Sequence, residues 1–279
     1  MSCSECFRGH SHTREPTGVI SEIHGRQTYV ATPPADVQSR GIIIIIVPDA
    51  FGWEFANNRL LADQYASRGN FTVYLPEFME NGGQDKIDTR GEDTMAQLTF
   101  TESSWGWKLW SAIQLAYGVD PFFIYNSFGR SWPRIRAFFE AIRSHEGFDR
   151  AIGAAGFCWG GRPVMSLAHP ESVAVNGKPL VDAVFTGHPS ALSLPDDAGK
   201  VIRPVSIAIG DKDLVTPVSH VDDIKKTRQT LKNVTTEIVV YAGAGHGFCV
   251  RVGPHNKNQI QQSKEAEEQA LRWFNKHLR

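Results

Sequence analysis

The residues Gly156-Phe157-Cys158-Trp159-Gly160-Gly161 place one cysteine between glycines, directly after an apolar segment that predicts a buried strand. Such a turn lifts the side chain at its apex clear of the sheet, and the glycines two before and two after the cysteine remove Cβ atoms that would collide. A thiol held in this way can attack a carbonyl carbon, so the spacing indicates acyl transfer by Cys158. The motif also arises by chance, and a lone cysteine is often a small buried hydrophobe.

Two further segments carry the groups that such a thiol requires. Asp211 and Asp213 follow the apolar segment 205–209, and His246 follows the segment 237–241. A histidine accepts the thiol proton, while an acid fixes the tautomer of the histidine and stabilises its imidazolium form. We predict Asp213 as that acid because it lies further past its strand, whereas Asp211 is expected to cap the turn. A simple loop histidine is the competing interpretation of His246 on its own.

Alternating strand and helix patterns must position these three groups. The alternation predicts an α/β fold with a mostly parallel sheet and helices on both faces. Ligands bind beyond the carboxyl ends of the strands in such sheets, which is where Cys158, Asp213 and His246 are expected. The predicted strands are residues 27–32, 42–47, 71–76, 152–157, 183–188, 205–209 and 237–241, and the predicted helices are residues 57–68, 132–144 and 258–278.

The motifs together resemble the dienelactone hydrolase family, in particular its fungal and animal carboxymethylenebutenolidase-like branch. The resemblance runs from about residue 17 to the end of the chain. It implies an α/β-hydrolase fold and a cysteine-dependent hydrolase that cleaves an ester or lactone of a small, carboxylate-bearing substrate through a thioester. It rests on the Cys158 turn, on Asp213 ahead of Val215 and Pro217, and on residues 246–248, 48–53 and 58–63.

The resemblance also implies roles for further residues. Asp49 is expected to contact the resting thiol, although better-known bacterial members carry the longer Glu there. Without the resemblance, an N-cap or turn-forming role for Asp49 is an equal alternative. The backbone N–H groups of Ala50 and Trp159 are expected to form the oxyanion hole, which suits the loop that leaves the apolar segment 42–47. Arg251 is expected to hold the substrate carboxylate. A second arginine for that carboxylate is left open among Arg130, Arg134 and Arg136.

Length and motifs indicate one domain, residues 17–279, after a flexible leader of residues 1–16. Cys3 and Cys6 form a CxxC in that leader, but the histidines that follow are too near for a zinc finger, and we predict no metal. The sequence has no GxGxxG motif after a first strand and no GxxxxGK(S/T) motif, the two glycine patterns that bind nucleotides, so we predict no cofactor. Residues 78–130 are irregular and rich in aromatic side chains, and we expect them to cover the mouth of the pocket.

Composition argues against two classes of partner, and the resemblance implies a small-molecule ester or lactone substrate. The chain carries 29 Lys and Arg against 30 Asp and Glu, with a net charge of −1, which argues against nucleic acid and anionic membranes. The apolar segment 42–47 is far shorter than the ~20 residues of a membrane span, and residues 1–14 lack the apolar core of a signal peptide. We therefore expect a cytoplasmic enzyme, monomeric or homodimeric, in a compartment that keeps the nucleophile reduced.

Two other functions fit the same scaffold. One is a general carboxylesterase or thioesterase, and the other is a binder of small molecules without catalytic activity. Two further side chains lie near the motifs. His188 ends a predicted strand on the side of the three groups, where it could line the pocket, but we favour a hydrogen-bonded structural histidine. Cys249 is expected to be a packed hydrophobe beside the histidine loop.

Overall fold

The computed structural model describes residues 15–79, 122, 125–230, 234–252 and 256–279. The strands are β1 Val19–Ile23, β2 Arg26–Ala31, β3 Ile43–Val47, β4 Thr72–Pro76, β5 Ile152–Phe157, β6 Ala183–Gly187, β7 Val205–Gly210 and β8 Thr236–Tyr241. The helices are α1 Ala56–Gly69, α2 Phe128–Ser144, α3 Gly161–Leu167, α4 Asp196–Gly199, α5 Val218–Thr230 and α6 Lys257–His277, and a 3₁₀ turn covers Cys158–Gly160.

The described strands form one sheet in the order β1-β2-β4-β3-β5-β6-β7-β8. All neighbouring pairs from β4 to β8 in this order are parallel, while β1 pairs antiparallel with β2, and β2 with β4. The predicted α/β fold with a mostly parallel sheet is therefore confirmed. Because the parallel strands share one direction, the loops after β3, β5, β6, β7 and β8 leave the same edge of the sheet.

The centre of the sheet is covered on both faces. Every residue of β3 is buried, as its uninterrupted run of β-branched side chains predicts. Two glycines of β5 face the helices on opposite sides of the sheet. A Cβ on Gly153 would meet Phe274 of α6, and one on Gly156 would meet Val164 of α3. Helices thus pack against both faces, and β5 runs between them into the turn at Cys158.

The antiparallel strand β1 was not predicted. Val19 and Ile20 are largely exposed in it, so the strand lacks the apolar face that marks a half-buried strand in a sequence. The signal for it is the turn: His24 and Gly25 both have positive φ, 47° and 74°, and join β1 to β2 as a two-residue hairpin loop. Turns of this kind favour glycine and match the twist of the strands they connect.

Two helix ends differ from the predictions. The helix α2 begins at Phe128, four residues before the predicted start at 132, because Pro133 lies inside the helix rather than ahead of it. The helix α1 runs to Gly69, one residue beyond the predicted end at 68, and Asn70 with φ of 56° forms its left-handed cap. Gly69 is needed for packing, since a Cβ there would lie 2.2 Å from the ring of Phe71.

Two predicted segments fall mainly outside the described residues. They are the leader with Cys3 and Cys6, of which residues 1–14 are not described, and the pocket-covering segment, of which residues 80–121, 123 and 124 are not described. Among the helices that are described, none has the length and apolar character needed to span a bilayer.

Candidate active site

Cys158 stands at the tip of a strained turn between β5 and α3. Its φ of 49° lies in the left-handed region, which is unfavourable for a residue with a Cβ. The glycines on either side permit the turn: a Cβ on Gly156 would lie 2.3 Å from the carbonyl oxygen of Gly160, and one on Gly160 would lie 2.1 Å from that of Val47. The strand-turn-helix geometry expected around Cys158 is therefore present, with the thiol buried at the carboxyl edge of the sheet.

His246 and Asp213 meet in a buried ion pair. The imidazole Nδ1 lies 3.0 Å from Oδ1 and 2.9 Å from Oδ2 of Asp213, and both side chains are fully buried. The carboxylate is fixed in turn, because its Oδ1 accepts hydrogen bonds from the backbone N–H groups of Val215 at 2.8 Å and Thr216 at 3.0 Å. The structure thus brings Asp213 to His246, while Asp211 accepts a hydrogen bond from the N–H of Gly243 at 2.6 Å in the adjacent loop.

The thiol of Cys158 and the ring of His246 influence each other's protonation. Burial raises the pKa of Cys158, but the charge and hydrogen-bonding capacity of His246, with a contribution from Arg251, bring the pKa below its usual value. Burial lowers the pKa of His246, yet the charge of Cys158 and the hydrogen bond to Asp213 outweigh it and raise the pKa to about 9. Both directions favour a thiolate paired with an imidazolium.

Asp49 is held by groups other than the thiol. Its Oδ1 accepts hydrogen bonds from the side chain of Asn58 at 2.9 Å and from the N–H of Phe51 at 3.2 Å, and its Oδ2 lies 3.4 Å from Nε of Arg251. Burial raises the pKa of Asp49, and the charge of Arg251 opposes that rise. The contact between Asp49 and the resting thiol stays a prediction. Among the described residues, Ser190 is a hydrogen-bond partner of the thiol, with its hydroxyl oxygen 3.9 Å from Sγ of Cys158.

Arg251 lies inside the site rather than on the surface. Its side chain is fully buried, and its guanidinium carbon lies 5.1 Å from the centre of the Phe51 ring. Its position depends on the histidine loop, where its N–H donates to the carbonyl of Gly247 at 2.8 Å. Gly247 has a φ of 89°, and a Cβ there would lie 2.6 Å from the guanidinium, so glycine is required next to His246.

Ala50 and Trp159, the predicted oxyanion-hole donors, belong to two loops in direct contact. A Cβ on Gly160 would lie 2.8 Å from the carbonyl oxygen of Pro48, two residues before Ala50. Both residues are buried, and the indole of Trp159 donates to the carbonyl of Asn126 at 2.7 Å. The two loops therefore meet at Cys158, and the role of their N–H groups stays a prediction.

Comparison with known proteins identifies the family. The model of the dienelactone hydrolase family matches residues 124–278, more than half of the chain. The chain belongs to the dienelactone hydrolase family. It is 28% identical to the hydrolase tropI of Talaromyces stipitatus over 284 residues, covering 100% of this chain and 97% of that protein. It is 24% identical to the carboxymethylenebutenolidase homolog of Homo sapiens, covering 98% and 96%.

Solved structures show the same fold. A putative dienelactone hydrolase from Klebsiella pneumoniae superposes with a TM-score of 0.63 at 20% identity, covering 93% of this chain and 98% of that one. Membership of the dienelactone hydrolase family makes this protein a carboxylic ester hydrolase that acts on small molecules.

A further loop of the hydrolase, residues 188–190 after β6, contacts groups of the candidate site. The sequence indicated its involvement only weakly. The N–H of Ser190 donates to the carbonyl of Cys158 at 2.9 Å, and the hydroxyl of Thr216 donates to the carbonyl of Pro189. The interpretation of His188 as hydrogen-bonded was wrong: neither ring nitrogen has a partner among the described residues. Its position directly after a strand, on the edge that carries Cys158, was the signal for a role in the site.

The three arginines considered for the substrate carboxylate make contacts with other groups of the protein. Arg134 donates to the side chain of Asn126 at 2.7 Å, Arg136 donates to the carbonyl of Val173 at 3.1 Å, and Arg130 lies 5.7 Å from the ring centre of Tyr125. These contacts leave the second carboxylate ligand unassigned. Cys249 is buried, and burial holds its pKa well above the usual value. In the described part of the chain, no His, Cys, Asp and Glu cluster has the arrangement of a metal site.

Proposed function

We propose that this protein hydrolyses an ester or lactone with Cys158 as the nucleophile. The observation that carries the proposal is the strained, buried Cys158 beside the His246–Asp213 ion pair, with the thiol pKa lowered and the histidine pKa raised to about 9. A thiolate is the attacking form of cysteine, and this pairing supplies it near neutral pH.

The proposed reaction has two steps. The Cys158 thiolate attacks the carbonyl carbon, the imidazolium of His246 gives its proton to the departing alkoxide, and a thioester and an alcohol result. His246 then takes a proton from water, the hydroxide attacks the thioester, and the thiolate leaves as the carboxylic acid forms. The N–H groups of Ala50 and Trp159 are proposed to bind the oxyanion in both steps, each contributing about 3 kcal/mol.

The proposed substrate is small and dienelactone-like, with a carboxylate near Arg251. The names of two relatives, a carboxymethylenebutenolidase homolog and a dienlactone hydrolase of Gibberella moniliformis, support this substrate class. Asp49 is proposed to modulate the thiol through Arg251, since both charges act on the pKa of Cys158. We also propose a cytoplasmic location, because a reducing compartment keeps the nucleophile as a thiol.

A general carboxylesterase is the second candidate, and the pairing of Arg251 with Asp49 favours it. A buried arginine that already holds a carboxylate is less available to the carboxylate of a substrate. A dienelactone and its carboxyl methyl ester, compared at the same lactone bond, separate the two candidates, because a site that recognises the charge gives the free carboxylate the higher kcat/KM.

The test of the nucleophile compares hydrolysis of a dienelactone by the wild type, Cys158→Ala and Cys249→Ala at neutral pH. We expect Cys158→Ala to lose at least about 10³-fold in kcat, as removal of a nucleophile does in related chemistry. Cys249→Ala removes a second buried thiol and should keep turnover within about threefold. Turnover of Cys158→Ala at the wild-type rate would refute the proposal, and a wild type inactive on every ester tested would favour a binding function.

A further inference from the structure

His188 is a buried polar residue that the proposed reaction leaves without a task. It directly follows β6, and its φ of 37° lies in the left-handed region that residues with a Cβ rarely adopt. Its N–H donates to the carbonyl of Ala208 at 2.8 Å, which holds the residue in this conformation. The side chain is completely buried. A strained, fully buried imidazole at the edge of the sheet that carries the nucleophile requires an explanation.

Structural hydrogen bonding does not provide one. Within the described ranges, neither ring nitrogen of His188 has a hydrogen-bond partner. Burying such atoms without partners destabilises a fold, and a phenylalanine would fill a similar volume without that cost. The surroundings are aromatic, with the ring centres of Phe157 and Phe248 at 6.0 and 6.1 Å. Costly polar groups of this kind mark sites of function more often than sites of packing.

The contact of His188 with His246 indicates what its role is. The two ring centres lie 5.0 Å apart and the ring planes cross at 85°, an edge-to-face arrangement. Asp213 holds His246 at Nδ1, and the contact with His188 restricts the remaining rotation of the ring. In this edge-to-face arrangement a neutral imidazole can also interact with a neighbouring positive charge through its aromatic ring, which would favour the imidazolium of His246.

His188 must be uncharged to act in this way. Burial holds its pKa well below the usual value, and the charges of His246 and Arg251 act in the same direction. The charged groups around His246 are Asp213 on its Nδ1 side, Cys158, and the Asp49–Arg251 pair. A second positive charge at His188 would repel the imidazolium, whereas a neutral ring supports it.

The loop that carries His188 is tied to the other members of the site. Ser190 contacts Cys158 through its N–H, at 2.9 Å from the carbonyl, and through its hydroxyl, at 3.9 Å from Sγ. Pro189 accepts the hydroxyl of Thr216, whose N–H donates to Asp213. A shift of His188 is therefore transmitted to the thiol and to the acid as well as to His246.

We propose that His188 is a positioning residue that fixes the ring of His246 and stabilises its imidazolium form, so that Cys158 is a thiolate at neutral pH. This inference rests on the proposed function, since it assigns a task within the same thiolate–imidazolium pair. It differs from a packing role in one measurable respect: the polarity of the ring, and not only its volume, determines the reactivity of the thiol.

The test measures alkylation of Cys158 by iodoacetamide at pH 7, followed by mass spectrometry of the peptide that carries it. The proteins are the wild type, His246→Ala, His188→Phe, His188→Asn and the control His169→Phe. His169 is also buried, but its Nε2 lies 2.9 Å from the carbonyl of Asp197, away from the triad. Thermal unfolding and the kcat and KM for ester hydrolysis are recorded for each protein.

We expect His188→Phe to unfold at the same or a higher temperature but to alkylate about tenfold more slowly, because less of Cys158 is thiolate. Its kcat should fall about ten- to a hundredfold with KM within about threefold, as expected when a group acts on the chemical step. His188→Asn, which keeps polarity but loses the ring, should retain part of the reactivity. His169→Phe should lose stability and keep the wild-type alkylation rate.

Two failures are distinguishable. If Cys158 of the wild type reacts no faster than in His246→Ala, the thiolate–imidazolium pair itself is absent, and the proposed function fails together with this inference. If the wild type reacts faster than His246→Ala while His188→Phe equals the wild type in alkylation and kcat, only the role of His188 is refuted. Should His188→Phe not fold, wild-type alkylation and kcat in His188→Asn would refute it equally.

Discussion

At the scale of single residues, the proposed reaction depends on one proton shared by Cys158 and His246. Asp213 raises the pKa of His246 through its hydrogen bond and its charge. Replacing Asp213 by Asn removes the charge and presents an amide that can hold the ring in the wrong tautomer. We expect kcat of Asp213→Asn to fall by about 10²- to 10⁴-fold, as comparable changes do in other triads. Asp211→Asn, which alters the neighbouring acid, should stay within about threefold.

The pH dependence of kcat/KM tests the same pair. In the proposed reaction the imidazolium of His246 donates a proton to the leaving alkoxide. The pKa of His246 is raised to about 9, so this form persists at neutral pH and is lost as the pH rises through about 9. We therefore expect an alkaline limb near pH 9 in the wild type. In Asp213→Asn a main cause of the raised pKa is absent, and the limb should move to lower pH. A limb that stays in place would show that another group controls it.

The turn between β5 and α3 determines, at the scale of elements, where the thiol stands. A Cβ on Gly160 would lie 2.1 Å from the carbonyl oxygen of Val47, so Gly160→Ala must displace the end of β3 and the loop that carries Ala50. Displacements of about 1 Å can cost about 10²-fold in rate, and we expect at least that loss in kcat. Gly129→Ala in α2 is the matched control, because a Cβ there meets nothing within 4 Å. Equal kcat in the two variants would exclude the geometric role of the turn.

Elements with a strong local pattern were predictable from the sequence, and elements fixed by distant contacts were not. The buried strands β3 and β5 carry continuous apolar or small residues, and the turn at Cys158 carries its own glycines. The exposed β1 lacks such a pattern and is held by pairing with β2. The site divides in the same way: Cys158, Asp213 and His246 follow strands in motifs, whereas the contact of His188 with His246 depends on packing between β6 and the histidine loop.

At the scale of the whole molecule, a buried arginine and the proposed active site lie at opposite edges of the sheet. The proposed triad lies at the carboxyl edge, while Arg143 near the end of α2 joins the amino ends of β5 and β6. Its side chain pairs with Asp182 at 2.7 Å and donates to the carbonyls of Pro179, Gly147 and Arg150 at 2.7, 2.9 and 2.8 Å. Asp182 also accepts the N–H of Ile152, the first residue of β5, at 2.8 Å.

Arg143→Met should therefore destabilise the protein without altering its chemistry. The side chain of Arg143 is 4% exposed but that of Asp182 is 33% exposed, so the ion pair is partly solvated. Losing its charge-assisted hydrogen bonds should cost about 1.5–3 kcal/mol in the free energy of unfolding. Arg136→Met, on the same helix with a side chain 37% exposed, should cost less than about 1 kcal/mol. Urea unfolding measures both, and kcat of the folded fraction should match the wild type in each. A large loss of kcat in folded Arg143→Met would show that the amino edge of the sheet influences the active site, contrary to this separation.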